Sequence, residues 1–216
     1  MSRKKTVYIV RHGQSLDNPL PVFQAYDSPL SDKGKEQTRQ IAERASHLNF
    51  DTIISSPQSR AKETAEAIAL ATGKRIEISD LFIERFTPTS LNGVPYADPT
   101  AQAVWREWEK SLETPGMKVE DGENFDDIVG RADRALAFLR ARDEDSPLVV
   151  SHGHFIRTMV ARIMLGPNMT RAMLRRFYEL TSLENTAITV LQYKDAFEED
   201  FRWRLWTLND HAHFAE

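Results

Sequence analysis

The sequence predicts an α/β fold: a three-layer α/β/α sandwich around a mostly parallel, doubly wound sheet, with antiparallel edge strands near the C-terminus. Three short apolar runs rich in β-branched residues are typical of parallel strands covered on both faces: "VYIV" from Val7, "DTII" from Asp51 and "PLVV" from Pro147. Each run is followed by a stretch with helical periodicity. Strands that alternate with helices predict a parallel sheet with right-handed crossovers.

Three amphipathic patterns predict helices that cover this sheet. "PLSDKGKEQTRQIAERASHL" has Ser31 as its capping residue and apolar side chains at roughly helical spacing. "SPQSRAKETAEAIALATG" begins at Pro57 and ends at Gly73, which are typical start and stop residues of a helix. The third, "ENFDDIVGRADRALAFLRAR", has an apolar stripe made of Phe125, Ile128, Val129, Ala132, Leu136 and Leu139.

Two further segments complete the predicted fold. "TAITVLQY" and "FRWRLWTL" flank "KDAFEED" and predict a hairpin of antiparallel edge strands. Segment 80–122 holds several prolines and glycines around one amphipathic helix, "AQAVWREWEKSL", and is too long for a simple crossover. Its aromatic content predicts an ordered lid, inserted into a single domain that spans residues 1–216.

Composition limits the classes of partner. The net charge of −4 and the pI of about 5.9 argue against a nucleic-acid or anionic-membrane surface, so any anion site must be local. The absence of cysteine excludes disulfides, thiol catalysis and thiolate metal sites. The first apolar run ends at Arg11 and is too short for a signal peptide or a membrane span. We therefore expect a cytoplasmic protein that binds neither nucleic acid nor membrane.

Polar residues follow the three predicted parallel strands where each strand ends. The first ends in "RHG", the second in "SSP" with Arg60 one helical turn later, and the third in "SHG". The carboxyl ends of parallel strands meet at one edge of the sheet, where ligands of open α/β sheets bind. The guanidinium groups of Arg11 and Arg60 and the imidazoles of His12 and His152 would then form one cationic site. Such a site suits a phosphoryl group, because arginine binds its oxygens bidentately.

Backbone groups are expected to contribute to the same site. The helix amino termini after Pro57 and Gly153 would direct N–H groups and a positive dipole at the anion. Gly13 and Gly153 would allow the backbone to approach it closely. We therefore expect both glycines to lie against the bound phosphoryl group.

The motifs "RHGQS", "SSPQSRAKETA", "LFIER" and "SHGHFIR", in this order at predicted strand ends, resemble the histidine phosphatase superfamily, also called the phosphoglycerate-mutase-like family. Weaker similarities are Asn18, "PLSDKGKEQ", "DGENFDDIVGR", "LND" and "HAH", so the resemblance covers nearly the whole chain. It implies phosphate-ester chemistry of the histidine acid phosphatase type, without a metal ion or another cofactor.

The resemblance also implies individual roles. His12 is the nucleophile that forms a phosphohistidine, Arg11, Arg60 and His152 hold the phosphoryl oxygens, and Glu84 is the proton donor. The catalytic set is therefore His12, Glu84 and His152, and the phosphate-binding set is Arg11, Arg60, Asn18, Gly13 and Gly153. The stretch "ERFTPTSLNG" departs from the family pattern, because its first glycine after Glu84 is Gly93.

These roles require particular protonation states of His12 and Glu84. A neutral His12 attacks with one ring nitrogen while the other donates a hydrogen bond, for which the backbone around Gly13 is an acceptor. Neighbouring cations disfavour protonation of His12, whereas Glu84 beside a phosphate retains its proton more easily. Two of these roles have alternatives. Arg60 is alternatively a solvated helix residue, and Glu77 or an acid of the lid is an alternative to Glu84 as the acid within reach of the site.

The predicted lid decides between possible activities. A mutase must hold a second phosphate or a carboxylate, yet residues 86–105 contain no lysine or arginine. This favours a phosphomonoesterase acting on a small phosphorylated substrate, or a phosphoprotein, with an apolar or uncharged leaving group. Inward-turned Arg85, Arg106 or Arg157 would weaken that inference. The alternatives are a cofactor-dependent phosphoglycerate mutase and a catalytically weak phospho-ligand-binding module.

Less specific features complete the predictions. The aromatic and apolar residues nearest the site mouth are candidates for its lining, and the edge hairpin with its tryptophans permits a homodimer. The lining candidates are Phe23, Tyr26, Phe86, Leu91 and Tyr96.

Overall fold

A six-stranded sheet lies at the centre of the structure, a computed structural model that describes residues 4–195 and 202–214. The strand order is β3-β2-β4-β1-β5-β6. The first four strands in this order are mutually parallel, whereas β5 is antiparallel to β1 and β6 is antiparallel to β5. The strands are β1 (Lys4–Arg11), β2 (Thr52–Ser55), β3 (Ile76–Ile78), β4 (Pro147–Ser151), β5 (Ile188–Lys194) and β6 (Trp203–Asp210).

Helices cover both faces of the sheet, so the predicted three-layer α/β/α architecture with antiparallel strands near the C-terminus is confirmed. Short 3-10 helices lie at Asp80–Phe82, Thr89–Leu91 and Ala212–Phe214. The α-helices are α1 (Asp32–Ser46), α2 (Ser59–Thr72), α3 (Pro99–Lys110), α4 (Phe125–Ala141), α5 (Gly153–Leu165) and α6 (Arg171–Leu180).

Local capping explains where the predicted helices begin and end. The Ser31 side chain accepts the N–H of Gly34 and caps α1. Helix α2 begins two residues later than predicted, at Ser59, and ends at Gly73, whose φ of 69° is the left-handed conformation that glycine favours. Asn124 and Asp127 form a reciprocal capping box at the start of α4.

The alternation of side chains along the central strands builds two cores. Val7 and Ile9 of β1 pack toward α4 and α5, whereas Val10 packs toward α1 and α2. Ile54 and Ile53 of β2 divide in the same way, because successive side chains of a strand point to opposite faces. All five side chains are fully buried, as expected for parallel strands between two helix layers.

Segment 80–122 contributes to a small separate core. Phe23 of the loop after β1 packs there with Leu91 and Ala101, and α3 is the amphipathic helix predicted in this segment. Residues 196–201, which include most of the predicted "KDAFEED" connection and the start of the second hairpin strand, lie outside the described residues. Strand β3 was not predicted, because three partly exposed residues produce too short a pattern to detect.

Candidate active site

The sheet register brings the three predicted strand ends together. Strand β4 lies between β1 and β2, with Arg11 opposite Ser151 and Ser55 opposite Val150. The residues that follow these strands therefore meet at one edge. The ring centroids of His12 and His152 lie 4.9 Å apart, with an interplanar angle of 53°.

His12 is held in one tautomer. Its Nδ1 atom lies 2.6 Å from the carbonyl oxygen of Gly13, and because a carbonyl can only accept, Nδ1 carries the hydrogen. Only 2% of the residue is exposed. Burial, together with the positive charges of Arg60 and Arg11, holds the pKa of His12 well below its ordinary value of 6.5. The imidazole is therefore neutral at neutral pH, and its Nε2 lone pair is available.

Backbone contacts fix the position of His12. Its N–H donates to the carbonyl of Ser151 at 2.9 Å, and its own carbonyl accepts from the Asn185 side chain at 3.0 Å. The N–H of Gly13 donates to Thr64 Oγ1 at 3.1 Å. This bond engages the Gly13 N–H, and the approach of the Gly13 backbone to a phosphoryl group stays a prediction. Glycine is required here because a Cβ atom would lie 2.8 Å from the carbonyl oxygen of Gly34.

His152 is fully buried beside His12, and Ser56 orients its ring. The Nε2 atom of His152 lies 2.8 Å from Ser56 Oγ, which also accepts the N–H of Gln58 at 3.4 Å. When the Ser56 hydroxyl donates its hydrogen to Nε2, the ring hydrogen of His152 lies on Nδ1, where it can act as a donor. Burial, and then the charge of Arg60 and the neighbouring His12, lowers the pKa of His152 well below 6.5.

The two predicted arginines lie close enough to these imidazoles to lower the pKa of both. Arg60 is only 1% exposed, and its Nη1 donates to the carbonyl of Tyr26 at 3.0 Å, so its interpretation as a solvated helix residue is wrong. Arg11 donates through Nη1 to the carbonyl of Leu183. Burial lowers the pKa of Arg11 and reduces that of Arg60 to about 10, and both stay cationic at neutral pH.

Unpartnered nitrogens concentrate on these residues. Within residues 4–195 and 202–214, four buried side-chain nitrogens have no hydrogen-bond partner, and three of them are Arg11 Nε, Arg60 Nε and His152 Nδ1. Buried polar groups are nearly always paired, so such a cluster calls for an explanation. An oxyanion bound against Arg11 Nε, Arg60 Nε and a protonated His152 Nδ1 would supply the missing acceptors.

The carboxylate of Glu84 lies at the amino terminus of α5. Its oxygens accept the N–H groups of Phe155 at 3.0 Å, His154 at 3.2 Å and Arg85 at 2.9 Å. Burial works to raise the pKa of Glu84, but interaction with the His154 imidazole and the N–H donors outweighs burial, and the pKa is lowered. The protein alone therefore stabilises the carboxylate, opposite to the shift expected beside a phosphate.

Both predicted anion-binding helix termini are occupied by acids of the chain itself. The N–H of Ser59, the first residue of α2, donates to Asp27 at 2.9 Å, and the first turn of α5 binds Glu84. Helix dipoles favour negative charge at their amino termini, and Asp27 and Glu84 supply it. These acids accept N–H groups that we expected to donate to the phosphoryl group.

Two other predicted phosphate-binding residues have structural contacts. Asn18 is exposed, accepts the N–H of Ser15 at 3.0 Å and lies 3.5 Å from the Gln24 side chain. Its contact with phosphate stays a prediction. At Gly153 a Cβ atom would lie 3.4 Å from Arg11 Nε, an ordinary van der Waals distance, and the contact of Gly153 with phosphate also stays a prediction.

A small cavity of about 40 Å³ opens beside Arg60 and Glu84. Tyr26 and Phe86, two of the predicted lining residues, border it with ring centroids 5.9 Å apart. The other predictions are corrected: Phe23 and Leu91 pack into the core of segment 80–122, and Tyr96 borders a separate cavity. The full lining of the small cavity is Gln24, Ala25, Tyr26, Gln58, Arg60, Glu84, Arg85, Phe86, Thr87 and Asn92.

Three further arginines have their donors engaged elsewhere. Arg85 borders the cavity, but its guanidinium binds Glu109 and two backbone carbonyls and stacks 3.6 Å from the centroid of the Trp108 ring. Arg157 donates to the carbonyls of Gly153, Tyr178 and Thr181. Arg106 lies on α3 away from the small cavity. None of them adds a free cation to the lining of the small cavity.

Sequence reasoning missed several residues that orient the site. Ser56 orients His152, Thr64 holds Gly13, and Gln58 accepts the N–H of Glu84 at 2.9 Å. All three lie within "SSPQSRAKETA", so the motif contained the signal. Asn185 sits in the loop before β5, which carried no such pattern.

Sequence comparison identifies the family. A sequence model of the histidine phosphatase superfamily (branch 1) matches residues 7–209, and the chain belongs to this superfamily. A relative from Escherichia coli O1:K1, named "Probable phosphoglycerate mutase GpmB", is 31% identical over 212 residues, covering 96% of this chain and 94% of the relative.

Solved structures share the fold. A mycobacterial glucosyl-3-phosphoglycerate phosphatase superposes with a TM-score of 0.73 at 24% identity, over 96% of this chain and 100% of that one. A phosphoserine phosphatase variant from Entamoeba histolytica, in complex with phosphoserine, gives a TM-score of 0.74 at 22% identity, over 97% and 99% of the two chains. Across the described part of the chain, no helix is long and apolar enough to cross a membrane. The same residues contain no cluster of three or more His, Asp or Glu side chains that could hold a metal ion.

Proposed function

We propose that the protein is a metal-independent phosphomonoester hydrolase that forms a phosphohistidine on His12. The observation that carries this proposal is the neutral His12 imidazole, fixed by Gly13, beside the unpartnered donors of Arg11, Arg60 and His152. Membership of the histidine phosphatase superfamily supports it. The substrate is a small phosphate ester or a phosphoprotein.

Formation of the intermediate follows from these positions. The His12 Nε2 lone pair attacks phosphorus, and the bond between phosphorus and the alcohol oxygen breaks. Arg11, Arg60 and the Nδ1–H of His152 stabilise charge on the phosphoryl oxygens, which is the main catalytic requirement of phosphoryl transfer. Glu84 protonates the leaving oxygen. The negative charge of the bound ester raises the pKa of this carboxyl, opposing the stabilisation by its N–H donors.

Hydrolysis of the intermediate uses the same groups in reverse. The Glu84 carboxylate takes a proton from water as the water oxygen attacks phosphorus. The bond between phosphorus and His12 Nε2 breaks, which returns the neutral imidazole and releases inorganic phosphate. The N–H groups of α5 that bind Glu84 favour its carboxylate form in this second step.

The cavity lining favours hydrolysis over isomerisation of phosphoglycerate. Besides Arg60 it contains one cation, Arg85, whose donors are engaged by Glu109 and backbone carbonyls. A carboxylate or second phosphate on the substrate would find no free positive charge there. Amides, a hydroxyl and the rings of Tyr26 and Phe86 suit an uncharged or partly apolar alcohol instead.

Phosphoglycerate mutase is the second candidate, because a relative with 31% identity bears that name. Product analysis after incubation with 3-phosphoglycerate, with and without a bisphosphoglycerate primer, separates the two. Release of inorganic phosphate without isomer is expected, and isomer formation beyond trace hydrolysis would replace the first proposal with the second.

A panel of phosphomonoesters assayed in the presence of a chelator tests the hydrolase proposal, with His12→Ala as the control. Turnover in chelator that His12→Ala abolishes is expected. Turnover that needs added metal contradicts the metal-independent mechanism. Phosphate binding without turnover of any ester indicates a phospho-ligand-binding module.

A further inference from the structure

The motif "DGENFDDIVGR" supplies a buried ion pair beneath the segment that carries Glu84. Arg131 Nε and Nη2 donate to the two carboxylate oxygens of Glu123 at 2.7 Å and 2.6 Å, a bidentate arrangement. The Arg131 and Glu123 side chains are only 6% and 15% exposed. Neither residue borders the cavity beside Arg60, so any effect of the ion pair on the site must act through residues that it contacts.

Arg131 uses its remaining donors on the backbone around Glu84. Nη1 donates to the carbonyls of Leu81 at 3.1 Å and Ile83 at 2.8 Å, and Nη2 donates to the carbonyl of Glu84 at 3.2 Å. Its guanidinium carbon lies 4.0 Å from the centroid of the Phe155 ring, and the Phe155 N–H binds the Glu84 carboxylate. One guanidinium therefore contacts both the backbone of Glu84 and a residue that holds its side chain.

Glu123 fixes the chain on the other side of Glu84. Its carboxylate accepts the N–H of Phe86 at 2.9 Å, and its own N–H donates to the carbonyl of Phe86 at 2.9 Å. Its carbonyl accepts from Arg85 Nε at 3.2 Å and from the indole of Trp108 at 3.1 Å. Residues 81–86 are thus bound at both ends by one ion pair.

We propose that Glu123 and Arg131 are positioning residues that set the Glu84 carboxyl for proton transfer to the leaving group. This inference rests on the proposed function. A general acid must lie within about 2.6–3.2 Å of the oxygen that it protonates. A displacement of about 1 Å can lower the rate about 100-fold. The position of the Glu84 carboxyl must therefore be held to within less than about 1 Å. The ion pair supplies this rigidity, because a buried bidentate pair has few alternative geometries.

The experiment compares leaving groups. Departure of an alkoxide from an alkyl phosphate requires a proton, whereas p-nitrophenolate leaves without one. The kcat/KM value covers the steps through phosphoenzyme formation and is independent of the later attack by water. In Arg131→Lys and Glu123→Gln we expect kcat/KM for an alkyl phosphate to fall about 100-fold and that for p-nitrophenyl phosphate to fall less than about threefold. Circular dichroism and thermal unfolding verify that each variant is folded.

A matched control lies on the same helix. Asp133 of α4 pairs with Arg162 at 2.7 Å, and its hydrogen bonds do not involve residues 81–86, so Asp133→Asn should leave the ratio of the two kcat/KM values unchanged. If the folded variants Arg131→Lys and Glu123→Gln keep the wild-type ratio of the two kcat/KM values, whether or not both values fall, the inference is overturned.

Two additional variants distinguish failure of this inference from failure of the proposed function. If His12→Ala keeps turnover, the proposed function fails. If Glu84→Gln loses activity equally on both substrates, the assignment of Glu84 as the acid fails, and the inference fails with it. If Glu84→Gln discriminates between the substrates and the ion-pair variants do not, the positioning inference alone is wrong.

Discussion

The imidazoles of His12 and His152, 4.9 Å apart between ring centroids, share a buried environment bounded by the same two guanidinium groups. The two rings are neutral for a common reason: water is excluded, and Arg60 and Arg11 oppose any further positive charge. The hydrogen bonds of the two rings give them different roles. His12 keeps a lone pair on Nε2, whereas His152 has a hydrogen on Nδ1 when Ser56 donates to its Nε2.

The first prediction concerns the titration of these rings. Because the pKa of His12 and that of His152 are both held well below 6.5, neither imidazole should gain a proton as the pH falls through 6.5. NMR of labelled imidazole nitrogens across this pH range measures the effect directly. A midpoint at or above 6.5 for His12 would be inconsistent with a buried nucleophile between two cations.

The second prediction concerns phosphate binding by the arginine pair. Inorganic phosphate should raise the Tm of the native protein, because a ligand that binds only the folded state stabilises it. Arg60→Gln should largely remove this shift. Arg106→Gln, a change on the exposed side of α3, should retain it. An equal shift in all three proteins would place the phosphate elsewhere.

The third prediction concerns acid stability. Burial lowers the pKa of His154 to about 4, compared with 6.5 in the unfolded chain. Between these pH values the unfolded state binds more protons, so the free energy of unfolding should decrease as the pH falls from 6.5 toward 4. His154→Gln should make that decline shallower, measured by urea unfolding at several pH values. An unchanged slope would show that His154 titrates normally in the folded protein.

The fourth prediction compares two glycines. A Cβ atom at Gly34 in α1 would overlap the carbonyl oxygen of Gln14, which belongs to the loop after β1. Gly34→Ala should therefore destabilise the protein by at least about 1–3 kcal/mol. At Gly130 in α4 the nearest atom to a Cβ would be 3.6 Å away, so Gly130→Ala should stabilise by up to about 1 kcal/mol. Thermal unfolding of both variants measures the two effects. Equal Tm values would contradict the close packing of α1 against the loop after β1.

The sequence was sufficient to predict where the parallel strands end, but not which side chains bind the amino termini of the helices that follow them. Apolar runs identified β1, β2 and β4, and because parallel strands end at one edge, His12 and His152 could be brought together before any coordinates. The occupancy of the helix amino termini by Asp27 and Glu84 could not be predicted, because each pairing joins segments distant in sequence with no shared pattern. The role of Glu84 as proton donor stays a prediction, and the direction of its pKa shift depends on backbone N–H groups that only the fold reveals.

Detection of the covalent intermediate is a direct test of His12 as the nucleophile. The protein is mixed with a phosphomonoester substrate, quenched in alkali to preserve phosphohistidine, digested and analysed by mass spectrometry. We predict a phosphoryl group on His12 and none in His12→Ala, whose turnover falls by about a thousandfold or more. A phosphoryl group on another residue, or undiminished turnover in His12→Ala, would show that His12 is not the nucleophile.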